Sequence, residues 1–439
     1  MHKKGRCDRR AFLKGAAAAG AAGFPYVATA SALGLGGRPA PSERVVLGYI
    51  GTGGRGMLDL REQLGVDIAQ VVAVCDVWRN RRQRAKQTVD QRYGNADCTA
   101  YADFRDLLAR PDIAAVGIAT PDHWHVPMTI AAVQAGKDVH CEKPLGISVE
   151  EDLRCREAVR RHARIFQYGT EARSSVRHRE ACEAVRSGVL GKVREIHVFA
   201  PNSDPGGSRA PRPVPPDLDY DLWLGPSPWR PYSGCPDSGG GWYHVRDYAL
   251  GFIAGWAAHP LDLLVWAYDL HTTGAWEVEG TGKTDTRGSN DAVYDWDVRF
   301  ALANGVRMTL RTNGSPGPAP HPYAMLRNDY ALLIGERGWI AIGYYNIWAD
   351  PPDLLRRPRT VRLTESRGQE HNFIHCVRSR QEPVSPIGDA LNSDLVSQVA
   401  DIAVRTGRTI KWDPLQGRVI GDAEGQRVCR RPMRPPWSL

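Results

Sequence analysis

The spacing Gly51-x-Gly53-x-x-Gly56 constrains this chain more than any other feature, because of what surrounds it. It follows a continuous apolar run, Val45-Val46-Leu47-Gly48-Tyr49-Ile50, and precedes a helical pattern over residues 57–64. A second apolar run, 71–75, ends on Asp76, twenty residues past the last glycine. Glycines in this register permit a tight strand-to-helix turn and let backbone N–H groups approach a pyrophosphate at a helix N-terminus. An acid at the end of the second strand accepts from ribose hydroxyls. The expectation is a dinucleotide site built from Gly51, Thr52, Gly53, Gly54, Arg55, Gly56 and Asp76. A carboxylate repels a 2′-phosphate, so NAD is expected ahead of NADP, although Arg79, Arg81 and Arg82 follow closely.

A third short run, 113–119, is like the first two apolar on both faces, with polar helical stretches such as 79–93 between the runs, the mark of a parallel sheet covered on both sides; a next strand is expected over 138–142. Residues 44–168 are therefore expected to form a Rossmann domain of α/β class. Ser148-Val149-Glu150-Glu151 is a capping box opening a helix to about residue 162. Residues 201–248 form a long stretch crowded with Pro, Gly and Trp. Beyond it, Val298, Phe300 and Leu302 run to Asn304-Gly305, and Val306, Met308 and Leu310 then alternate with polar residues, a hairpin with one solvated face. Leu391, Leu395, Val399 and Ile402 mark a last amphipathic helix stopping near Gly407. Residues 169–439 are expected to be an α+β substrate and oligomerisation domain with a large, open, mostly antiparallel sheet.

Arg9-Arg10-Ala11-Phe12-Leu13-Lys14, then a weakly apolar Ala/Gly segment and Ala28-Thr29-Ala30, has the order of a twin-arginine signal over residues 1–30, with 31–43 as linker. The protein is then expected outside the cytoplasm, in the periplasm or otherwise exported by the twin-arginine machinery. The net charge of +8 falls to +3 once that segment, with six basic residues and one acid, is set aside. No long basic run remains, so nucleic acid is not an expected partner. No apolar stretch of about 18 residues lies beyond the leader, so no stable membrane insertion is expected after its removal. Nine cysteines without a C-x-x-C do not make a disulfide framework.

Lys143 follows the strand at 138–142 and precedes Pro144, which holds it extended at the carboxyl end of a parallel strand, facing the crevice where ligands bind. Outside the leader the chain has six lysines against forty-five arginines, and here it uses the base whose pKa burial can lower.

The glycine loop, Thr120-Pro121-Asp122-His123-Trp124-His125, Glu142-Lys143-Pro144 and Ala258-His259-Pro260-Leu261-Asp262, in this order, resemble the Gfo/Idh/MocA oxidoreductase family. Residues 218–226 and 409–414 resemble its exported branch. The resemblance implies a Rossmann domain followed by an α/β domain whose open sheet mediates homo-oligomers. It also implies a nicotinamide cofactor, a carbohydrate or cyclitol substrate, and Lys143 beside the reacting hydroxyl. Thr120, Pro121, His123, His125, Glu142 and Lys143 are placed near the cofactor, the two histidines being equally compatible with capping and packing. The second-domain motif usually reads Asp-x-x-x-His-x-x-Asp, the His taken as proton acceptor; here it supplies His259 and Asp262, but Gly255 replaces the first acid. Asp247 is a candidate for the missing carboxylate. Tyr243 and Tyr248, among the aromatics of the long segment, are the expected sugar platform together with Asp262. No Cys/His pair or acid cluster with ligand spacing accompanies the thirteen histidines, so no metal is expected.

Three functions remain open at this point. The first is NAD-dependent oxidation of a sugar or cyclitol hydroxyl with tightly held cofactor. The second is redox-neutral glycoside cleavage through transient sugar oxidation, and the third is a catalytically silent sugar-binding relative.

Overall fold

The computed structural model describes residues 39–235, 241–313 and 330–439; the twin-arginine segment lies outside these residues. Residues 39–44 carry a short 3₁₀ turn, Pro41–Glu43. From Val45 onward the chain builds two sheets.

The first sheet holds β1 (Val45–Ile50), β2 (Ala69–Cys75), β3 (Thr99–Tyr101), β4 (Ala115–Ile118), β5 (Asp138–Glu142) and β6 (Phe166–Gly169) in the order β3-β2-β1-β4-β5-β6. Every pairing is parallel. Helices α1 (Gly54–Leu64), α2 (Arg79–Tyr93), α3 (Phe104–Leu108), α4 (His125–Gln134) and α5 (Val149–Arg161) connect the strands. The strand order reverses between β1 and β4, and in such sheets that switch point opens a crevice at the carboxyl ends of the strands. Ser148 caps α5 by accepting from Glu151 N–H, as the capping box requires.

Among the described residues the second sheet has nine strands: β7 (Val193–Ala200), β8 (Trp276–Thr284), β9 (Val293–Leu302), β10 (Arg307–Thr312), β11 (Tyr330–Gly335), β12 (Gly338–Gly343), β13 (Ile347–Asp350), β14 (Ile410–Asp413) and β15 (Arg418–Val419). Their order is β13-β12-β11-β7-β10-β9-β8-β14-β15, antiparallel except where β7 meets β10. The expected hairpin is β9–β10, with Val298 opposite Leu310 and Phe300 opposite Met308. Side chains alternate as a half-solvated sheet demands: Val298, Phe300, Met308 and Leu310 are buried, while Arg299 and Arg307 are exposed. The helices of this half among the described residues are α6 (Val176–Arg186), α7 (Tyr220–Leu224), α8 (Phe252–Gly255), α9 (Ala258–Ala267), α10 (Gln369–Ser379), α11 (Ile387–Thr406) and α12 (Ala423–Arg427). The apolar stripe on α11 is buried against α9 and β8, and the helix ends on Gly407 in the left-handed conformation.

The two halves are stitched together by the chain's return. Phe373, Ile374 and Val377 of α10 are buried with Tyr49, Met57 and Leu60 under β1 and α1. Asp394 of α11 accepts from the N–H groups of Leu145 (2.6 Å) and Gly146 (3.4 Å), directly after the Lys143–Pro144 turn. Arg380 pairs with Asp138 at the foot of β5, at 2.6 Å. The long segment between β7 and α8 is held by its aromatics: Trp223, Tyr232 and Tyr248 pack with Trp78 and Val245.

Candidate functional site

One cleft runs along the carboxyl ends of β1, β2, β4 and β5. Its walls include the glycine loop, Asp76, Trp78, Arg81, Thr120, Pro121, Asp122, His125, Glu142, Lys143, Trp223, Trp242 and Tyr243.

The loop end is built for close backbone approach. Gly51 has φ +85°, and a Cβ on Gly56 would stand 2.0 Å from the Gly51 carbonyl oxygen, so neither position tolerates a side chain. The Asp76 carboxylate brackets this loop. Its Oδ2 accepts from Thr52 N–H (2.7 Å) and Thr52 Oγ (3.0 Å), and its Oδ1 accepts from Trp78 N–H (2.9 Å). Thr52 is thus fully buried beneath the cleft wall and acts through Asp76. Arg81 lies over the Trp78 ring at 4.8 Å, and both line the cleft. Arg55 leaves the loop toward three carboxylates, Glu142 and Asp59 at 2.9 Å and Glu171 at 3.4 Å, which joins the glycine loop to the end of β5.

At the other end, the Lys143 ammonium donates to the Gly255 carbonyl oxygen at 2.9 Å and lies 5.6 Å from the Trp256 ring centroid. Gly255, where the resemblance would place an acid, offers Lys143 its backbone instead. A Cβ added there meets nothing closer than Tyr243 Cδ1 at 3.8 Å, so sterics do not impose the glycine. His125 bridges the turns after β4 and β5, its Nδ1 2.7 Å from Pro144 O and its Nε2 2.9 Å from Thr120 O. Burial pushes its pKa down to about 4, so the ring is neutral and donates to one carbonyl at a time. Among the buried polar atoms of the lining residues that lack a protein partner are the Thr120 hydroxyl, both oxygens of Asp122 and the Trp78 indole N–H. Burial raises the Asp122 carboxyl well above the usual carboxylate range, against the opposing pull of Lys143.

His259 is buried beside this cluster and is not among the described residues lining the cleft. Its ring stands 4.6 Å from Tyr344 and 5.6 Å from Trp256. Burial first, and then the Lys143 charge, push its pKa down to about 3. The Tyr344 hydroxyl donates to Glu171, whose carboxylate is the acidic neighbour acting on His259; its Oε2 and His259 Nδ1 are both buried without a partner.

Several expected site residues lie elsewhere. Asp247 is bound to the Arg230 guanidinium and borders a separate cleft with Arg246 and Asp401, so it does not replace the missing acid. Asp262 is fully buried in a two-point ion pair with Arg173, at 2.7 and 2.8 Å, which leaves no free edge for a sugar. Tyr248 is buried between His123 and Trp223, whereas Tyr243 does line the cleft, stacked on Trp242 at 3.8 Å. His123 points away, its Nε2 3.1 Å from Trp223 O. Sequence reasoning passed over Asp122, Glu171 and Tyr344. The first two were accessible to it, since both carboxylates closely follow parallel strands at the end where such sheets bind ligands. It also passed over the pair His371 and His375, one helical turn apart on α10 with rings 4.1 Å apart. Among the described residues no group of three or more His, Cys, Asp or Glu gathers as a metal site.

A parallel sheet of this order, a glycine loop and an acid bracketing it define a two-domain dinucleotide-binding protein of the Rossmann class. Residues 45–170 match the oxidoreductase family's NAD-binding Rossmann fold, and residues 206–439 match its C-terminal alpha/beta domain. The chain belongs to this family, the Gfo/Idh/MocA oxidoreductases, and its first domain is an NAD-binding one. It is 31% identical over 205 residues to a glycosyl hydrolase family 109 protein of Saccharopolyspora erythraea, covering 42% of this chain and 44% of that protein. It is 30% identical over 162 residues to inositol 2-dehydrogenase of Gluconacetobacter diazotrophicus, covering 36% of this chain and 47% of that one. The matched segments thus span about half the length of these curated relatives. The fold is also that of aldose-aldose oxidoreductase from Caulobacter crescentus complexed with glycerol (TM-score 0.59, 18% identity, 84% of this chain and 100% of that one).

Proposed function

We propose that this protein is an NAD-dependent oxidoreductase acting on a hydroxyl-bearing carbon of a sugar or cyclitol. The observation that carries the reading is that the glycine loop with Asp76 and the Lys143 ammonium line one continuous cleft. Residues present fit the cofactor: the loop admits no side chain at Gly51 and Gly56, and Thr120 and Asp122, whose side-chain oxygens have no protein partner, are among the residues lining the cleft. The loop N–H groups would hold the pyrophosphate and the remaining lone pair of Asp76 a ribose hydroxyl. Bound NAD supplies the hydride acceptor. Lys143 then exchanges the Gly255 carbonyl for the substrate hydroxyl oxygen and stabilises the negative charge that develops there as its proton leaves. Tyr243 and Trp242 offer an aromatic wall for a sugar face.

The similarity to glycosyl hydrolase family 109 proteins favours one second reading, cleavage of a glycosidic bond with the cofactor returned to its starting state. Export in the folded state by the twin-arginine route is part of the same proposal and would suit both readings, because an enzyme outside the cytoplasm benefits from holding its cofactor. Self-association through the open sheet belongs to the same proposal and is tested by sedimentation. The functional test is purification from a host competent in twin-arginine export, identification of the nucleotide released on denaturation, and parallel assays. One assay follows NAD reduction by a panel of sugars and cyclitols; the other follows phenol release from aryl glycosides. Reduction identifies the first reading, release the second, and failure of the protein to bind NAD refutes both.

A further inference from the structure

His259 is a histidine held by packing on one side and by nothing on the other. Its ring stands 4.6 Å from Tyr344 and 5.6 Å from Trp256, but its Nδ1 is buried with no hydrogen-bond partner among the described residues. Buried ring nitrogens are rarely left so, and the tautomer of a neutral imidazole is set by the bond that one of its nitrogens makes. Gly255, four residues earlier, brings no side chain to the ring, and Asp262, three residues later, is bound to Arg173.

A carboxylate is held by the same Tyr344 side chain. Glu171 opens the 3₁₀ turn Glu171–Ser174, just past the end of β6. Its Oε1 accepts from the Tyr344 hydroxyl and lies 3.4 Å from Arg55 Nη1, whereas its Oε2 is buried without a partner. With a guanidinium and a hydroxyl donor on Oε1 and 31% of the side chain exposed, Glu171 is an ordinary ionised carboxylate. Tyr344 is itself fixed. It sits in the turn between β12 and β13, where Gly343 N–H donates to Asn346 O at 2.8 Å and the Gly343 carbonyl oxygen lies 2.9 Å from His178 Nε2 of α6. One phenol therefore carries the imidazole against its ring and the carboxylate on its hydroxyl. The unpartnered His259 Nδ1 and Glu171 Oε2 are complementary, since the first can donate and the second only accepts.

We propose that Glu171, fixed by Tyr344, is the positioning carboxylate of His259: its Oε2 accepts from Nδ1–H and leaves Nε2 as the acceptor for the substrate's hydroxyl proton. This inference rests on the oxidoreductase reading above. Lys143 and His259 both approach the Trp256 ring, at 5.6 Å each, which gathers the ammonium and the base at one aromatic side chain. In the step itself the hydroxyl O–H bond breaks and its proton bonds to Nε2. The electron pair of the adjacent C–H bond leaves as hydride to NAD⁺, which is reduced, and the carbon is oxidised as its C=O bond forms. His259 afterwards returns the proton to solvent. The imidazolium formed on the way is a cation close to the Lys143 ammonium, which opposes it, and Glu171 supplies the opposite charge. Neither Glu171 nor Tyr344 touches the reacting atoms.

The experiment compares wild type, Glu171→Gln, Glu171→Ala, Tyr344→Phe, His259→Ala and the Glu171→Gln/His259→Ala double variant. Nitrogen NMR of protein labelled at histidine reads the tautomer with no substrate present, the His259 signals being those lost in His259→Ala. Wild type should carry the His259 proton on Nδ1. In Glu171→Gln the Tyr344 hydroxyl and Arg55 claim the single amide oxygen, so the NH₂ faces Nδ1 and the proton should move to Nε2; Glu171→Ala should lose the Nδ1–H preference. With any sugar that wild type oxidises, Glu171→Gln should lower kcat at least about 10-fold, within the ~10²–10⁴-fold cost of removing the base itself, while KM and NAD affinity stay close to wild type. Tyr344→Phe should do the same to a smaller extent. The double variant should be no slower than His259→Ala alone, because a residue that acts through another adds nothing once that other is gone. An Nε2–H tautomer in wild type, a tautomer unmoved in both Glu171 variants, an unchanged kcat in His259→Ala, or losses that multiply in the double variant overturn the assignment. If wild type reduces NAD with no sugar or cyclitol, the oxidoreductase reading falls by itself, and the tautomer alone decides whether Glu171 holds His259.

Discussion

Replacing Asp76 should unsettle the free protein before it affects cofactor selectivity. The carboxylate is 8% exposed and accepts from two backbone N–H groups, Thr52 and Trp78, and from the Thr52 hydroxyl. In Asp76→Ala the hydroxyl can rotate to another acceptor, but the two N–H groups cannot. A buried donor left unsatisfied costs about 1–3 kcal/mol, so the alanine variant should lose roughly 2–6 kcal/mol of stability. Asparagine keeps a single acceptor oxygen, and its NH₂ must then face one of the two N–H groups, so Asp76→Asn should lose about half as much. Loss of the ribose acceptor should weaken NAD by a further ~1.5–3 kcal/mol, roughly 10- to 150-fold, and narrow the preference over NADP. The assay is urea unfolding of nucleotide-free wild type, Asp76→Asn and Asp76→Ala, followed by calorimetric titration with both cofactors. If the alanine variant unfolds at the wild-type urea concentration while NAD binding weakens, the carboxylate serves the ribose alone and the bracket is absent. Equal affinity of wild type for NAD and NADP would refute the selectivity argument.

Asp262→Ala should destabilise the fold by about 3–5 kcal/mol, because the 1%-exposed Arg173 guanidinium keeps only Asp389 as a carboxylate partner; a raised KM for sugar with unchanged unfolding would instead restore Asp262 to the substrate site. His140, whose pKa burial pushes down to about 3, is neutral in the folded protein and protonates near pH 6.5 when unfolded. Its contribution to stability is therefore fully present above pH 6.5 and is lost as pH falls toward 3. His140→Leu should gain on wild type by about 1.4 kcal/mol for each pH unit below 6.5, read from urea unfolding across pH, and an unchanged difference would show that His140 is not held neutral. Arg9→Lys with Arg10→Lys should leave folded protein in the cytoplasm, checked by cell fractionation, because the motif is read by a receptor; unchanged export would dismiss the leader.

The features legible in the sequence were those that local chemistry decides. Gly51 to Gly56 and Asp76 bring their own geometry, Ser148 signals its helix four residues at a time, and the α11 stripe ends on Gly407 because a left-handed residue stops a helix. Periodicity says which face of an element is apolar, but not what covers it, and so the docking of α10 onto β1 and α1 was not legible. The same limit misplaced two carboxylates. Asp247 stands near the His259 motif in the chain but is held in space by Arg230, and Asp262 belongs to that motif yet finds Arg173, eighty-nine residues earlier. Asp122 lay inside a quoted motif, but only three-dimensional placement shows that its two oxygens lack partners.

The return of α10 onto the first sheet also has a consequence for how the protein can be made. Tyr49, Met57 and Leu60 are among the first described residues to leave the ribosome, but they share their core with Phe373, Ile374 and Val377. Asp394, which holds the turn beside Lys143, emerges later still. The cofactor half therefore cannot finish folding as an early, self-sufficient module during synthesis; it waits, with an apolar surface uncovered, for about the last sixth of the chain. A message truncated before residue 370 should yield an aggregating product rather than a functional NAD-binding fragment, and any exchange of the first domain between relatives must carry the α10 segment with it.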